Sequence, residues 1–518
     1  TLAVAGATTL SDALSVSGAT TLKNTTVSGT LAVGGLADVE SSINTNTTNI
    51  ATNATNIGTV GNLTTSATNL VAAINEHETQ INSNDSNITS INSSISNITS
   101  GVRLYDEGNG SFALGSQTLD SESSTGYNMA LGYQVMKNTD GGQYNLGIGY
   151  QTLLSNTTGS DNVAIGFTSM FNNTTGSRNT ALGNSSLRSN TTGVNNIAIG
   201  NNTLYSNTTG QENTAVGYTA LNSNTTGSQN VALGHAALYN NTSGTTNVAV
   251  GDNALYYNTT GSFNMAMGRR SLFSNTTGAQ NVALGHNALF KNTTGDSNTG
   301  VGTSSLYNNT TGTLNSAFGD SALYSNTTGS YNSAFGKSSL SSNTTGDFNT
   351  AFGLQTLYSN TTGYENSAFG SQAMQNNTTG IQNSAFGQSA LYNNTTGHRN
   401  HAFGNFAMRH NATGSDNLGL GYYALATNIS GSNNTALGNQ AGNAALGSSN
   451  VFIGYQAGYS ETGSNKLYIS NDSSTNLLYG DFSTGALSLG QTSGTVTTLN
   501  DFNVDGDATF DGTATVTG

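Results

Sequence analysis

The sequence predicts a mostly β chain whose larger part is a parallel β-solenoid, one coil per 17 residues. A coiled coil and slender β-modules accompany it. Three observations lead there. A glycine closes a recurring N-x-A-x-G phrase at Gly115, Gly132, Gly149, Gly166 and onward to Gly438, always 17 residues apart. A second glycine, closing N-T-T-G, keeps the same step from Gly159 and Gly176 to Gly414 and Gly431. The chain also has no proline, so every backbone N–H is available to a ladder. A fixed period without insertions marks a solenoid in which each copy is one coil stacked on the last.

Residues 1–35 carry a shorter repeat. Leu2–Leu10 (LAVAGATTL) returns as Leu14–Leu22 (LSVSGATTL), a step of 12. Alternation of Leu, Val and Gly with Ala, Ser and Thr reads as short strands. Each buries too little to stand alone, so a slender module shared by several chains is expected.

Residues 36–100 change period. Ile43, Ile50 and Ile57 are seven apart, with Val39, Asn46, Asn53 and Val60 on the complementary seam, and a break near 58–66 around Gly58 and Gly61. A second run places Ile74, Ile81, Ile88 and Ile95 on one seam and Leu70, His77, Asn84, Ile91 and Ile98 on the other. Sevenfold spacing argues for a coiled coil, and Ile on both seams favours three or four strands over two. The outer positions are Asn, Thr and Ser, weak helix formers, so partner helices must hold the segment. Asn46, Asn53, His77 and Asn84 at core positions either fix register and oligomeric state or form a ring of donors around a buried anion.

Residues 101–458 form the array, and each column has its own chemistry. One Asn column runs through Asn162, Asn179, Asn196, Asn213 and Asn230; another through Asn156, Asn173, Asn190, Asn207 and Asn224. Coils about 4.8 Å apart would let identical amides bond up and down as ladders. An Ala column (Ala164, Ala181, Ala198) yields only to Gly147, Gly300 and Gly419. Before each strand glycine comes a bulky apolar residue, such as Ile165 and Leu182, later Phe318 and Phe335. Four residues past it stands Leu or Met, such as Met170 and Leu187. Both apolar columns are expected in the core, with the Ala column packing against neighbouring chains. N-T-T-G is the closing turn. About 20 such coils would make a rod roughly 95 Å long.

Residues 459–518 leave the array as a β-rich neck. Phe502–Phe510 (FNVDGDATF) then revives the opening module, so the excerpt reads as part of a longer chain.

Composition narrows the function. A net charge of −14 disfavours nucleic acid and anionic lipid, which require a basic stripe. No apolar run reaches membrane-spanning length. Without cysteine there is no disulfide or thiolate metal site. His398, His401 and His410 lie close in sequence beside Arg399 and Arg409, and they read as outward positions of late coils. Arg269–Arg270 reads as a solvated face. No catalytic, cofactor or metal site is expected, and Asn-Thr-Thr is better explained by turn and ladder chemistry than by glycosylation.

The phrase NVAIG at Asn162–Gly166 resembles the heads of trimeric autotransporter adhesins, left-handed parallel β-rolls wound as trimers. The polar, Ile-bearing coiled coil looks like their stalks. The mosaic of β-modules, short coiled coil and N-T-T-G array is similar to phage tail fibres, in which NKLYISN (Asn465–Asn471) and LLYGDFSTG (Leu477–Gly485) would precede a cleaved C-terminal chaperone. The resemblance implies a trimeric β-roll in an elongated homotrimeric fibre, located on the virion and mediating host-surface attachment. Its implied partners are its own copies, other fibre or baseplate proteins, and a host glycan or protein receptor. A bacterial cell-surface trimeric adhesin is the alternative. Another is an ice- or surface-binding β-solenoid using the Thr columns at Thr157 and Thr158.

Overall fold

The computed structural model describes residues 15–17, 32–34, 47–49, 51–52, 67–101, 110–121 and 126–489. It divides into two compact units, Thr1–Asp296 and Ser297–Gly518.

In the first unit, β1 (Ser15–Ser17) pairs in parallel with β2 (Ala32–Gly34), Ser15 opposite Ala32. Helix α1 (Ala67–Gly101) follows. Its hydroxyl side chains fold back on the carbonyl four residues earlier: Thr79 Oγ1 donates to Asn75 O (2.8 Å) and Ser86 Oγ to Asn82 O (2.9 Å). Hydroxyls that would otherwise compete with the backbone are thereby absorbed into the helix. Ala73, His77, Gln80, Asn84, Asn87, Ile91 and Ser94 are half-buried, at alternating steps of four and three. Ile74, Ile81 and Ile88 remain 55%, 56% and 50% exposed.

The array of this unit begins with β3 (Phe112–Leu114), β4 (Met129–Tyr133), β5 (Leu146–Tyr150) and β6 (Val163–Phe167). One three-residue strand per coil then runs from β7 (Thr180–Leu182) to β13 (Val282–Leu284). Pairing is parallel and in register, so Ala164 faces Ala181 and Ala181 faces Ala198. Each residue therefore stacks on its own equivalent, which is why the columns hold their chemistry.

The interior differs from the expectation in one respect. The Ala column is fully buried inside the coil, from Ala113 to Ala283 in this unit. It faces the Leu or Met column, also fully buried at Met170, Leu187, Leu204, Leu221 and Leu238. The bulky residue before the strand glycine points outward instead; Ile199 and Leu233 are 37% and 36% exposed. A strand puts alternate side chains on opposite faces, so burying Ala necessarily turns both of its neighbours out. The lumen is narrow enough to demand this. At Gly147, a β-carbon would come within 2.6 Å of Val135 Cγ1 and 2.8 Å of Met136 Cε.

Closure of each coil depends on backbone conformations that favour glycine. Gly166 has φ 142° and lies against the next coil, where an added β-carbon would meet Gly183 O at 2.3 Å. The core leucines also sit at positive φ, 49° for Leu187 and 51° for Leu204. That conformation disfavours a bulky side chain, and complete burial of the leucine offsets it.

The second unit repeats the plan from β14 (Thr299–Val301) to β23 (Val451–Ile453), then changes it. Phe452 replaces the alanine and is fully buried, while Gly442 and Gly458 take the Leu position at φ 57° and 58°. Large and small have exchanged places across the lumen; a β-carbon on Gly458 would lie 2.1 Å from Phe452 Cδ1. Next, β24 (Lys466–Ile469) pairs in parallel with β23. Strands β25 (Leu478–Asp481) and β26 (Ala486–Leu489) then add antiparallel, ending the parallel ladder.

Candidate functional site

The two asparagine columns are the most regular polar feature of the molecule. Asn179 Nδ2 donates to Asn162 Oδ1 (3.1 Å) and to Gly193 O (2.9 Å), and Asn179 N donates to the same Asn162 Oδ1 (3.0 Å). Asn196, Asn213 and Asn230 repeat the set. In the turn column, Asn173 Nδ2 donates to Asn156 Oδ1 (2.7 Å) and to Gly176 O (2.9 Å). Asn190, Asn207 and Asn224 continue it. All ten amides are fully buried. A carboxamide both donates and accepts along the stack, which neither Asp nor Ser can do with the same reach. These residues organise the coil and offer nothing outward.

Of the four polar residues expected in a coiled-coil core, Asn46 and Asn53 lie outside the described residues. His77 and Asn84 fall on the half-buried stripe of α1, and Asn84 Oδ1 is shielded from solvent with no hydrogen-bond partner. The Thr turn column spends its hydroxyls internally: Thr157 Oγ1 donates to Thr174 O and Thr174 Oγ1 to Thr191 O, both at 3.0 Å.

Sequence reasoning missed the outer face of the strands. Within the second unit it carries a continuous stack of phenylalanines, Phe318, Phe335, Phe352, Phe369, Phe386 and Phe403. Ring centroids are 4.7, 4.3, 5.1, 4.8 and 5.0 Å apart. Phe318, Phe352, Phe386 and Phe403 are each 37–38% exposed. The outward residue two positions earlier is small or polar throughout this run: Ser316, Ser333, Thr350, Ser367, Ser384 and His401. In most coils of the first unit that pair is instead apolar, as Val163 with Ile165, Ile197 with Ile199, or Met265 with Met267, while Thr180 stands with Leu182 and Thr214 with Val216. A signal was present in the sequence, since phenylalanine holds that column through six consecutive coils.

Charged side chains pair along columns. Asp252 Oδ1 lies 2.8 Å from His235 Nδ1 and Asp252 Oδ2 lies 3.4 Å from Arg269 Nε. The His235 hydrogen bond holds the Asp252 carboxyl below its usual range. Arg270 lies over Phe273 at 5.8 Å, so the basic doublet splits between an ion pair and a ring. Arg399 grips Asp416 with two bonds, of 2.6 and 3.0 Å, and lowers its pKa. His398, His401 and His410 do not converge: His398 Nδ1 accepts from Ile381 N, His401 lies in β20 (His401–Phe403), and His410 Nδ1 meets Asn393 Nδ2. Among the described residues no group of three His, Cys, Asp or Glu side chains is placed to hold a metal ion. Nor is any helix there long and apolar enough to cross a membrane.

One groove, of about 670 Å³, opens in the second unit beside the turn column. Its walls are Asn376, Asn393, His410 and Thr427 on one side and Thr395, Ala412 and Ile429 on the other.

No protein-family model, no curated protein and no solved structure matches the chain.

Proposed function

We propose that the protein is a homotrimeric structural fibre, most consistent with a virion tail fibre that holds a binding tip away from its particle and attaches it to a host surface. The observation that carries this reading is the outward apolar column before each strand glycine. An apolar stripe repeated on every coil marks a contact surface. Along the phenylalanine run the neighbouring outward column is Ser, Thr or His at all six coils, and Thr also stands beside Leu182, Val216, Val301 and Leu437. Exposed Ile74, Ile81 and Ile88 on α1 supply a second apolar seam, at the spacing of a coiled coil. Three copies sharing one shaft would also raise avidity at the tip.

A double-mutant cycle in the full chain tests the contact. Ser333→Val should overpack the interface and Phe335→Ile should leave a void, each lowering the melting temperature of the oligomer. Together they recreate the aliphatic pairing of the first unit and should recover most of the loss, with a coupling of at least about 0.5 kcal/mol. Strictly additive effects would remove the support. Immunogold electron microscopy of intact virions and bacterial cells locates the fibre, and labelling confined to cell envelopes would favour the surface-adhesin reading.

A further inference from the structure

The groove beside the turn column lies where the otherwise regular first-threonine column of the turn breaks. The residue before the turn Asn varies along the array, as Asn172, Ser189, Tyr257 and Lys291, and at the groove it is Asn376, Asn393 and His410. The first turn threonine becomes Ala412 and then Ile429. The two columns line the groove and build unlike walls. On one side Asn376 Nδ2 donates to Asn393 Oδ1 (3.0 Å), and Asn393 Nδ2 meets His410 Nδ1 (3.0 Å). This sequence of bonds engages the imidazole through Nδ1, and His410 is exposed. On the other side the threonine ladder stops: Thr395 Oγ1 donates to Ala412 O (2.9 Å), and Ala412 has no hydroxyl to continue. Beyond it Ile429 is 56% exposed.

We propose that this groove binds a neutral oligosaccharide laid along the stack, with about one sugar ring per coil of about 4.8 Å. Three features select that class. The lining holds amides, an imidazole and hydroxyls but no carboxylate, lysine or arginine, so it suits an uncharged ligand rich in hydroxyls. Ala412 and Ile429 give the apolar wall against which the C–H face of a pyranose packs. The backbone is already used: Asn393 N donates to Arg409 O, His410 N to Ala426 O and Ala412 N to Ile429 O. An extended peptide, which needs free backbone groups to add as a strand, finds none of these N–H groups open. The groove lies half a coil in sequence from the strand face, so it does not depend on the trimer reading.

The test uses the full chain on a printed array of neutral and sialylated oligosaccharides, with extended peptides as the competing class. The comparison is a variant returned to the repeat consensus, His410→Ser with Ala412→Thr and Ile429→Thr. That variant restores the coil pattern found elsewhere and should fold, which circular dichroism checks. We expect neutral oligosaccharides of four or more sugars to be retained, and the variant to bind them at least about tenfold more weakly. Retention of no neutral glycan, equal binding by the variant, or a preference for peptides or sialylated glycans would each overturn the proposal.

Discussion

Replacing Asn230 by aspartate isolates what the asparagine ladder contributes. Asn230 is fully buried. Its Nδ2 donates to Asn213 Oδ1 (3.1 Å) and Gly244 O (2.9 Å), while its Oδ1 accepts from Asn247 N (3.0 Å) and Asn247 Nδ2 (3.1 Å). Asn230→Asp keeps the shape and both accepted bonds. It loses both donated bonds and sets a second oxygen against two acceptors. A buried group left without its partner costs about 1–3 kcal/mol, so two such losses put the penalty at roughly 2–6 kcal/mol. The sign with pH follows from burial. The introduced carboxyl has a folded pKa above its unfolded value of about 3.9, so the penalty is smallest below that value and grows as pH rises through it. Protonated, it can donate one of the two missing bonds. A solenoid opens locally, so the readout is amide exchange at Val231 and Val248 against wild type at matched pH between 3 and 7, with thermal unfolding beside it. Asn230→Ala at neutral pH should cost a similar amount with no pH dependence of its own. A variant with aspartate that matches wild type at pH 7, or whose deficit does not shrink in acid, would refute the ladder as a source of stability.

Phe452→Ala should open a cavity costing about 3–5 kcal/mol in the last coils, seen as faster proteolysis within residues 439–489. Adding Gly442→Leu and Gly458→Leu should recover part of the loss, because leucine fills that position elsewhere in the array. Asp481 accepts from Lys466 Nζ (2.5 Å) and from the hydroxyl and N–H of Ser483, which hold its pKa at about 2. Its folded value is depressed, so its contribution is present above the unfolded pKa of about 3.9 and lost as pH falls from there through about 2. Amide exchange within β24 and β25 should report loosening of their pairing and of the β25–β26 turn over that window, and Asp481→Asn should abolish the pH dependence.

Much of the fold could be read in the sequence because stacked coils repeat their environment every 17 residues. Asn162 and Asn156 had to be ladders, since an unpaired amide on every coil is untenable. What the sequence hid was orientation. Alternation in VAI (Val163–Ile165) shows that Ala164 faces opposite to its neighbours, and ordinary hydrophobic reasoning sends the larger pair inward. The narrow lumen, already occupied by Met170 and Leu187, reverses that choice. Width of the coil is a tertiary property, and no single column reports it. The exchange of Phe452 with Gly442 and Gly458 was likewise visible only as broken repeats until the two positions were seen to face each other.

The measurement closest to the central claim is the molar mass of the folded full chain by light scattering. The proposed burial of the outward apolar columns between three copies predicts a species of about three times 52.9 kDa that persists on dilution. A monodisperse species at 52.9 kDa, with the β signal of the intact array, would contradict it.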